Sequence, residues 1–308
     1  MSARLAAAVL AALATGCATT PRVPVLGQVL GQVPDQVASP ATLAEHGRQC
    51  AGKDGWSDPA PPVRVAADLF LVGTCGITVL LLTSPAGHVL IDGATAQAAP
   101  GVAANVERLG YRMADVRLIL AGHEHLDHAG GLAELQRRSS ARLLARTEAG
   151  RPLSTGLADP ADPQYGTNAP FPGARVDRLV RDGEVVRLGP LALTAHATPG
   201  HTPGSTSWTW RSCEAGACRS FAYADSLTAI SADGYRFGDH PAYVAAFRAT
   251  LDKVARLPCD VILTPHPSAS RLFERLGGEA PLAEPGGCVR YAATARARLD
   301  ARLAEERR

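Results

Sequence analysis

Three imidazoles and a carboxylate fall within six consecutive positions: His123, His125, Asp127 and His128, in Ala121-Gly122-His123-Glu124-His125-Leu126-Asp127-His128-Ala129-Gly130-Gly131. Neutral imidazole and carboxylate are borderline-to-hard ligands. The chemistry they suggest is divalent-metal binding, with zinc favoured and iron, manganese or nickel as alternatives. The apolar run Val116-Arg117-Leu118-Ile119-Leu120 precedes them and reads as a buried strand opening into a loop. In extended backbone His123 and His125, two apart, project to the same side. Asp127 and His128 follow where the chain turns toward a helix expected over 131–138, and they can face a second point. This arrangement suits two neighbouring ions better than one. Glu124 should point away from its flanking ligands and be solvated or sit behind them.

A second apolar run, Val261-Ile262-Leu263, ends in Thr264-Pro265-His266-Pro267. The prolines restrict the backbone on both sides of His266, which the strand would deliver to the same site. The elements expected to carry these segments are strands at 68–72, 77–83 and 88–92, with a turn at 84–87, and a helix near 99–109. A short strand follows at 142–146, then a long irregular excursion over 148–171, the kind of segment that often flanks an active site. Paired strands are expected over 176–193, with Asp182-Gly183 as their hairpin turn, then a strand at 207–211 and a helix at 241–255. An Ala/Arg/Leu-rich surface helix runs from 292 to 308. His46, His88 and His240 lack a supporting motif and read as ordinary.

The chain has 308 residues and a formal net charge of +2, with charges of both signs interspersed. It is long enough for a sizeable core, and nothing in it points to nucleic acid. Residues 1–17 read as an export signal: one early positive charge, an apolar core over 5–13, then Ala14-Thr15-Gly16-Cys17. Cys17 resembles a lipidated first residue, with ordinary cleavage after Ala14 or nearby as the competing outcome. Residues 18–60 read as a linker and N-terminal arm, partly mobile, with a short helix over 43–49. Residues 61–308 form the single main domain, which lacks a membrane-spanning run. The expected location is therefore the periplasm, on a lipid anchor if Cys17 is the first residue of the mature chain. Six further cysteines, Cys50, Cys75, Cys213, Cys218, Cys259 and Cys288, can form three bridges in such a compartment. Cys213 and Cys218 flank a turn short enough to pair.

The His-x-His-x-Asp-His cluster resembles the signature of the metallo-β-lactamase fold superfamily. Pro199-Gly200-His201-Thr202-Pro203-Gly204 resembles that superfamily's next ligand loop, making His201 the ligand and leaving His196 a packed or exposed strand residue. Ala224-Asp225-Ser226-Leu227-Thr228, followed by residues 230–237, resembles the third, B3 subclass, as does the run from Cys259 to Pro267. The resemblance covers about Cys50 to the C-terminal helix. It implies an α/β fold, a four-layer αβ/βα sandwich with metals at one edge. It also implies two Zn2+ ions, one held by His123, His125 and His201 and the other by Asp127, His128 and His266. Ser226 and Thr228 would help hold the substrate carboxylate. Asp127 would orient a metal-bound hydroxide that opens the β-lactam amide bond of penicillins, cephalosporins and carbapenems, in a monomer with no protein nucleophile. Cys259–Cys288 also occurs in that family, which leaves Cys50–Cys75. Asp225 is expected to make a structural hydrogen bond in its turn. If Asp225 bound metal, the chain would instead be an exported lactone or thioester hydrolase. A non-enzymatic zinc-binding lipoprotein is the third possibility.

Overall fold

Alternation of side chains along the central strands dictates the layering. Leu118 and Leu120 of one strand enter one apolar cluster and Ile119 between them enters another. The same split separates Val89 and Ile91 from Leu90. A strand buried on both faces needs a layer on each side, and its sequence is then continuously apolar. The computed structural model describes residues 40–308; the expected export signal, Cys17 and the first part of the arm lie outside them.

In chain order the described residues form helix α1 (Pro40–Cys50) and strands β1 (Val63–Ala66), β2 (Leu69–Leu71), β3 (Leu80–Leu82) and β4 (His88–Ile91). Then come α2 (Ala99–Arg108), β5 (Val116–Leu120), α3 (Leu126–Ala129), α4 (Leu132–Ser139), β6 (Arg142–Ala145), α5 (Thr147–Thr155) and β7 (Val176–Leu179). The second half holds β8 (Val185–Leu188), β9 (Leu191–Ala197), β10 (Thr206–Glu214), β11 (Ala217–Tyr223), α6 (Pro241–Ala255), β12 (Val261–Leu263), α7 (Leu272–Leu276) and α8 (Gly287–Glu305).

One sheet has the order β1-β2-β3-β4-β5-β6-β7 and the other β12-β11-β10-β9-β8. The first is antiparallel up to β4 and parallel from β4 to β7. Parallel neighbours need a crossover, which α2, α3 with α4, and α5 provide. Between the sheets lie Leu71, Leu80, Ile91, Leu118 and Leu120, facing Leu193, Trp208, Phe221, Val261 and Leu263. Outside the first sheet, α2, α4 and α5 cover Leu81, Leu90 and Ile119 with Val102, Val106, Leu135 and Leu153. Outside the second, α6 and α8 cover Ala222 and Ile262 with Phe247, Leu251, Ala295 and Leu299. This is the expected four-layer αβ/βα sandwich.

Three local expectations are corrected. Residues 40–60 are no loose linker: α1 is tied to the domain by Cys50–Cys75, and the buried His46 bonds through Nδ1 to the Pro61 carbonyl at 2.8 Å. Asp182-Gly183 is not a hairpin turn but part of the passage between sheets, because β7 pairs with β6 and β8 with β9. The excursion after 146 begins as α5 and becomes irregular only beyond it. The remaining bridges are Cys213–Cys218, across the β10–β11 hairpin, and Cys259–Cys288, joining the approach to β12 to α8. Among the described residues no helix is long and apolar enough to cross a membrane.

Candidate metal centre

The ends of β5, β9, β10 and β12 converge at one edge of the sandwich. His123 follows β5, His125 precedes α3, and Asp127 and His128 lie on the single turn of α3. That turn aims two adjacent residues at one point, where an extended chain would send them to opposite sides. His201 lies on the loop between β9 and β10. This loop is held by Arg146, which donates to the Pro203 and Ser205 carbonyls, and by Thr250, which donates to the Pro199 carbonyl at 2.6 Å. Gly200 adopts φ +153°, and a Cβ there would lie 2.2 Å from the Phe247 ring, so the loop closes only with glycine. His266 follows β12, between its two prolines.

Donor atoms of His123, His125 and His201 come within 4.8 Å of one another, all three residues being buried. Asp127 Oδ2, His128 Nε2 and His266 Nε2 close a second triangle with sides of 3.0, 3.3 and 3.4 Å. His123 also comes within 4.8 Å of Asp127 and His128, so the two triangles adjoin. The His266 side chain, 35% exposed, opens the site to solvent.

Almost every ring spends one nitrogen on the protein and keeps the other for the centre. His123 Nδ1 meets Asp225 Oδ1 at 2.9 Å, and His125 Nε2 meets Asp162 Oδ2 at 2.8 Å. His201 Nδ1 faces the Thr228 carbonyl and hydroxyl at 3.1 and 2.8 Å, and His266 Nδ1 faces the Gly76 carbonyl at 3.2 Å. His128 Nδ1 lies 3.3 Å from Asp92 Oδ2. The acceptors of His123, His125, His201 and His266 fix a tautomer and orient the ring, as in metal-ligating histidines generally. His123 Nε2 is buried with no partner in the protein. A buried polar atom without a partner is costly, and an ion between these rings satisfies it. The donor set fits a divalent metal.

Electrostatics agree. Burial, with His128 and His125 close by, holds His123 well below the usual histidine range, and burial with His123 and His125 does the same to His201. Both are neutral, the form that binds metal. Burial alone would raise Asp127, but His128 and His266 hold it far below the usual carboxylate range. Burial opposes a proton on His128, yet Asp127 and Asp92 bring that group up to about 10. A cation between Asp127 and His128 displaces this proton, so metal affinity rises with pH.

Residues 72–266 match the family model described as "Metallo-beta-lactamase superfamily". The chain belongs to that superfamily. Its fold is similar to the metallo-β-lactamase MIM-1 from Novosphingobium pentaromativorans, with 50% identity, 85% of this chain and 98% of that one covered, and a TM-score of 0.84. MEM-A1, a subclass B3 metallo-β-lactamase from a soil metagenome library, is 42% identical over 82% of this chain and 98% of its own, with a TM-score of 0.79. A hydroxyacylglutathione hydrolase of Rhodopseudomonas palustris (strain BisB5) is 35% identical over 129 residues, 39% of this chain and 41% of that protein. The likeness along nearly the whole length is thus to subclass B3 metallo-β-lactamases.

Around this metallo-β-lactamase centre the residues beside the donors have definite partners. Glu124 is buried, not solvated; it accepts from the Thr202 hydroxyl at 2.8 Å and the Gly204 N–H at 2.9 Å, latching the His201 loop to the cluster. Burial pushes its carboxyl up to about 7, against the bonds from Thr202 and Gly204. Asp225 makes a structural hydrogen bond, though to His123 and not within its own turn. Ser226 is buried beside it, and Thr228 stands against His201. His196 is a half-buried strand residue bonded to Thr209 Oγ1.

Asp162 and Asp92 were missed. Asp92 ends β4 with φ +65° and accepts from the Gly122 N–H at 2.6 Å and from the Tyr223 hydroxyl. An Asp after the apolar run Val89-Leu90-Ile91 was the available signal for it; Asp162, in an irregular loop, offered none.

Proposed function

We propose that this chain is an exported, monomeric metallo-β-lactamase that hydrolyses the amide bond of penicillins, cephalosporins and carbapenems with two zinc ions. The observation carrying this reading is the pair of adjoining three-donor sets, each facing a common edge with its ring nitrogens already oriented. A likeness to B3 lactamases along nearly their full length supports the substrate class. One chain supplies all six donors, which supports a monomer.

Bound there, zinc supplies a Lewis acid and lowers the pKa of a coordinated water to about 7. Asp127, held ionised, is placed to accept and orient the proton of the attacking water. With Nδ1 protonated, His201 donates to Thr228 and frees the Thr228 hydroxyl to donate to a substrate carboxylate, with Ser226 two residues before it. A cleft of about 420 Å³ lined by Trp56, Thr95, Leu126, Pro170 and Phe171 runs beside α3 and can take an apolar substituent. No serine stands in as nucleophile, so an acyl-enzyme does not accumulate.

The test is hydrolysis of a carbapenem and a cephalosporin by the zinc-loaded mature protein, with and without chelator. Turnover of both that chelator abolishes and zinc restores is expected. A zinc-replete protein that opens neither overturns the reading. The second reading, a thioester hydrolase, has one observation in its favour: Asp225 Oδ2 is buried without a partner, as a carboxylate awaiting a metal would be. Turnover of a hydroxyacylglutathione in place of lactams decides for it. Export rests on residues 1–17, with Cys17 as lipidated first residue. The mass of the mature N-terminus tests this, and cleavage after Ala14 excludes the lipid.

A further inference from the structure

We propose that Asp162, on the irregular segment between α5 and β7, is a positioning residue for the tri-histidine metal site, through which that segment governs metal affinity. The proposal rests on the metal-centre reading above but not on the identity of the substrate.

Asp162 is buried, and its two carboxylate oxygens have separate tasks. Oδ2 accepts from His125 Nε2 at 2.8 Å, and Oδ1 accepts from the Gln164 N–H at 2.8 Å. Its backbone is held in turn by the bonds Asp162 N–H to Asp159 carbonyl and Tyr165 N–H to Asp162 carbonyl, both 2.9 Å. The carboxylate is therefore fixed by its own loop and not by the histidine it orients. His125 has only this partner holding the nitrogen that faces away from the centre, so the direction of Nδ1 is set from 37 residues down the chain.

The segment is anchored a second time. The Ala232 N–H donates to the Pro163 carbonyl at 2.8 Å. Ala232 lies just beyond Thr228, which receives the His201 Nδ1 proton. Two of the three imidazoles of this site thus take their orientation from two loops that are bonded to each other. By contrast, His266 is oriented by the Gly76 carbonyl and His128 stands 3.3 Å from Asp92, both on other elements. A change at Asp162 should reach one ion and spare the other.

The experiment measures zinc affinity by competition with a chromophoric chelator on the full mature chain, alongside the downfield imidazole N–H resonances of the zinc-loaded protein. Asp162→Ala should weaken one of two zinc equilibria by about 10–100-fold, the range for partners that orient metal ligands, and leave the other unchanged. It should also remove one downfield imidazole N–H signal. Asp162→Asn, which keeps an acceptor oxygen without the charge, should recover most of the affinity and the signal. Thr167→Ala, removing a 2.8 Å bond to the Gln164 carbonyl in the same loop without touching His125, should change neither. The proposal is overturned if Asp162→Ala leaves both equilibria intact, if it weakens both equally, or if Thr167→Ala reproduces its effect. A protein that binds two zincs yet cleaves no lactam would overturn the substrate assignment and leave this result standing.

Discussion

Removing the Cys50–Cys75 bridge should both loosen the fold and weaken one metal site. The bond closes a loop with a sequence separation of 25. In the chain-entropy model a loop of that size contributes about 3.5 kcal/mol by restricting the unfolded chain. That is roughly 300-fold in the unfolding equilibrium and a large part of an ordinary domain's stability. A local consequence follows from what the bond holds in place. Gly76, next to Cys75, offers the carbonyl that orients His266, and a Cβ on Gly76 would lie 2.1 Å from the Asp54 carbonyl oxygen. The arm and the His266 acceptor are packed directly together. Cys50→Ala/Cys75→Ala should therefore lower the denaturant midpoint of the metal-free protein, raise its m-value through a more expanded unfolded state, and weaken the zinc equilibrium involving His266. A loss below about 1 kcal/mol with both zinc equilibria unchanged would show that α1 and the Gly76 carbonyl are held by other contacts, and the reasoning would fail.

Asp225→Asn should retain two zincs, since an amide oxygen can still accept from His123, while loss of the charge behind that ring lowers kcat/KM about 10-fold; loss of a metal equivalent would instead make Asp225 a ligand. Gly204→Ala puts a Cβ 2.5 Å from Glu124 Oε2 and 2.6 Å from the Ala149 Cβ, so it should cost about 1–3 kcal/mol and weaken zinc binding through the His201 loop. Gly101→Ala, in α2 with nothing within 4 Å of the added carbon, should gain about 0.5–1 kcal/mol in the same denaturation assay. Burial lowers the pKa of His46 against the opposing bond to Pro61. The unfolded chain then takes that proton first as pH falls, so the stability conferred is present above about 6.5 and lost below it. His46→Leu should flatten stability between pH 7 and 5 relative to the parent, and parallel curves would contradict it.

The donors that gather at the edge were legible because metal chemistry leaves a local mark: His123, His125, Asp127 and His128 share six positions, and His201 and His266 sit between prolines or glycines that stiffen their loops. The layers were legible from the apolar runs of β4, β5 and β12. What orients the ligands was not. Asp162 and Asp92 reach the site through the fold, and an aspartate in an irregular segment looks the same whether it meets water or a buried imidazole. Asp182-Gly183 carries the residues of a hairpin turn, but a passage between sheets needs the same backbone freedom. Glu124 could be solvated or sit behind the ligands as far as the sequence told, because its partners, Thr202 and Gly204, lie 78 and 80 residues away.

The crossing between β7 and β8 divides the chain into two halves, and each triangle of donors takes two corners from the first half and one from the second. His128 and His266 stand 138 residues apart. Each donor set thus spans halves synthesised at different times, and neither half alone offers more than two donors to it. Tight metal capture reports a finished sandwich, because the free energy of binding is also free energy of assembly. The tri-histidine set is complete only once the loop between β9 and β10 reaches the edge, and the second set only once β12, the last strand, is in place. Metal supply then acts on the final step of maturation, where it can pull partly joined chains to completion.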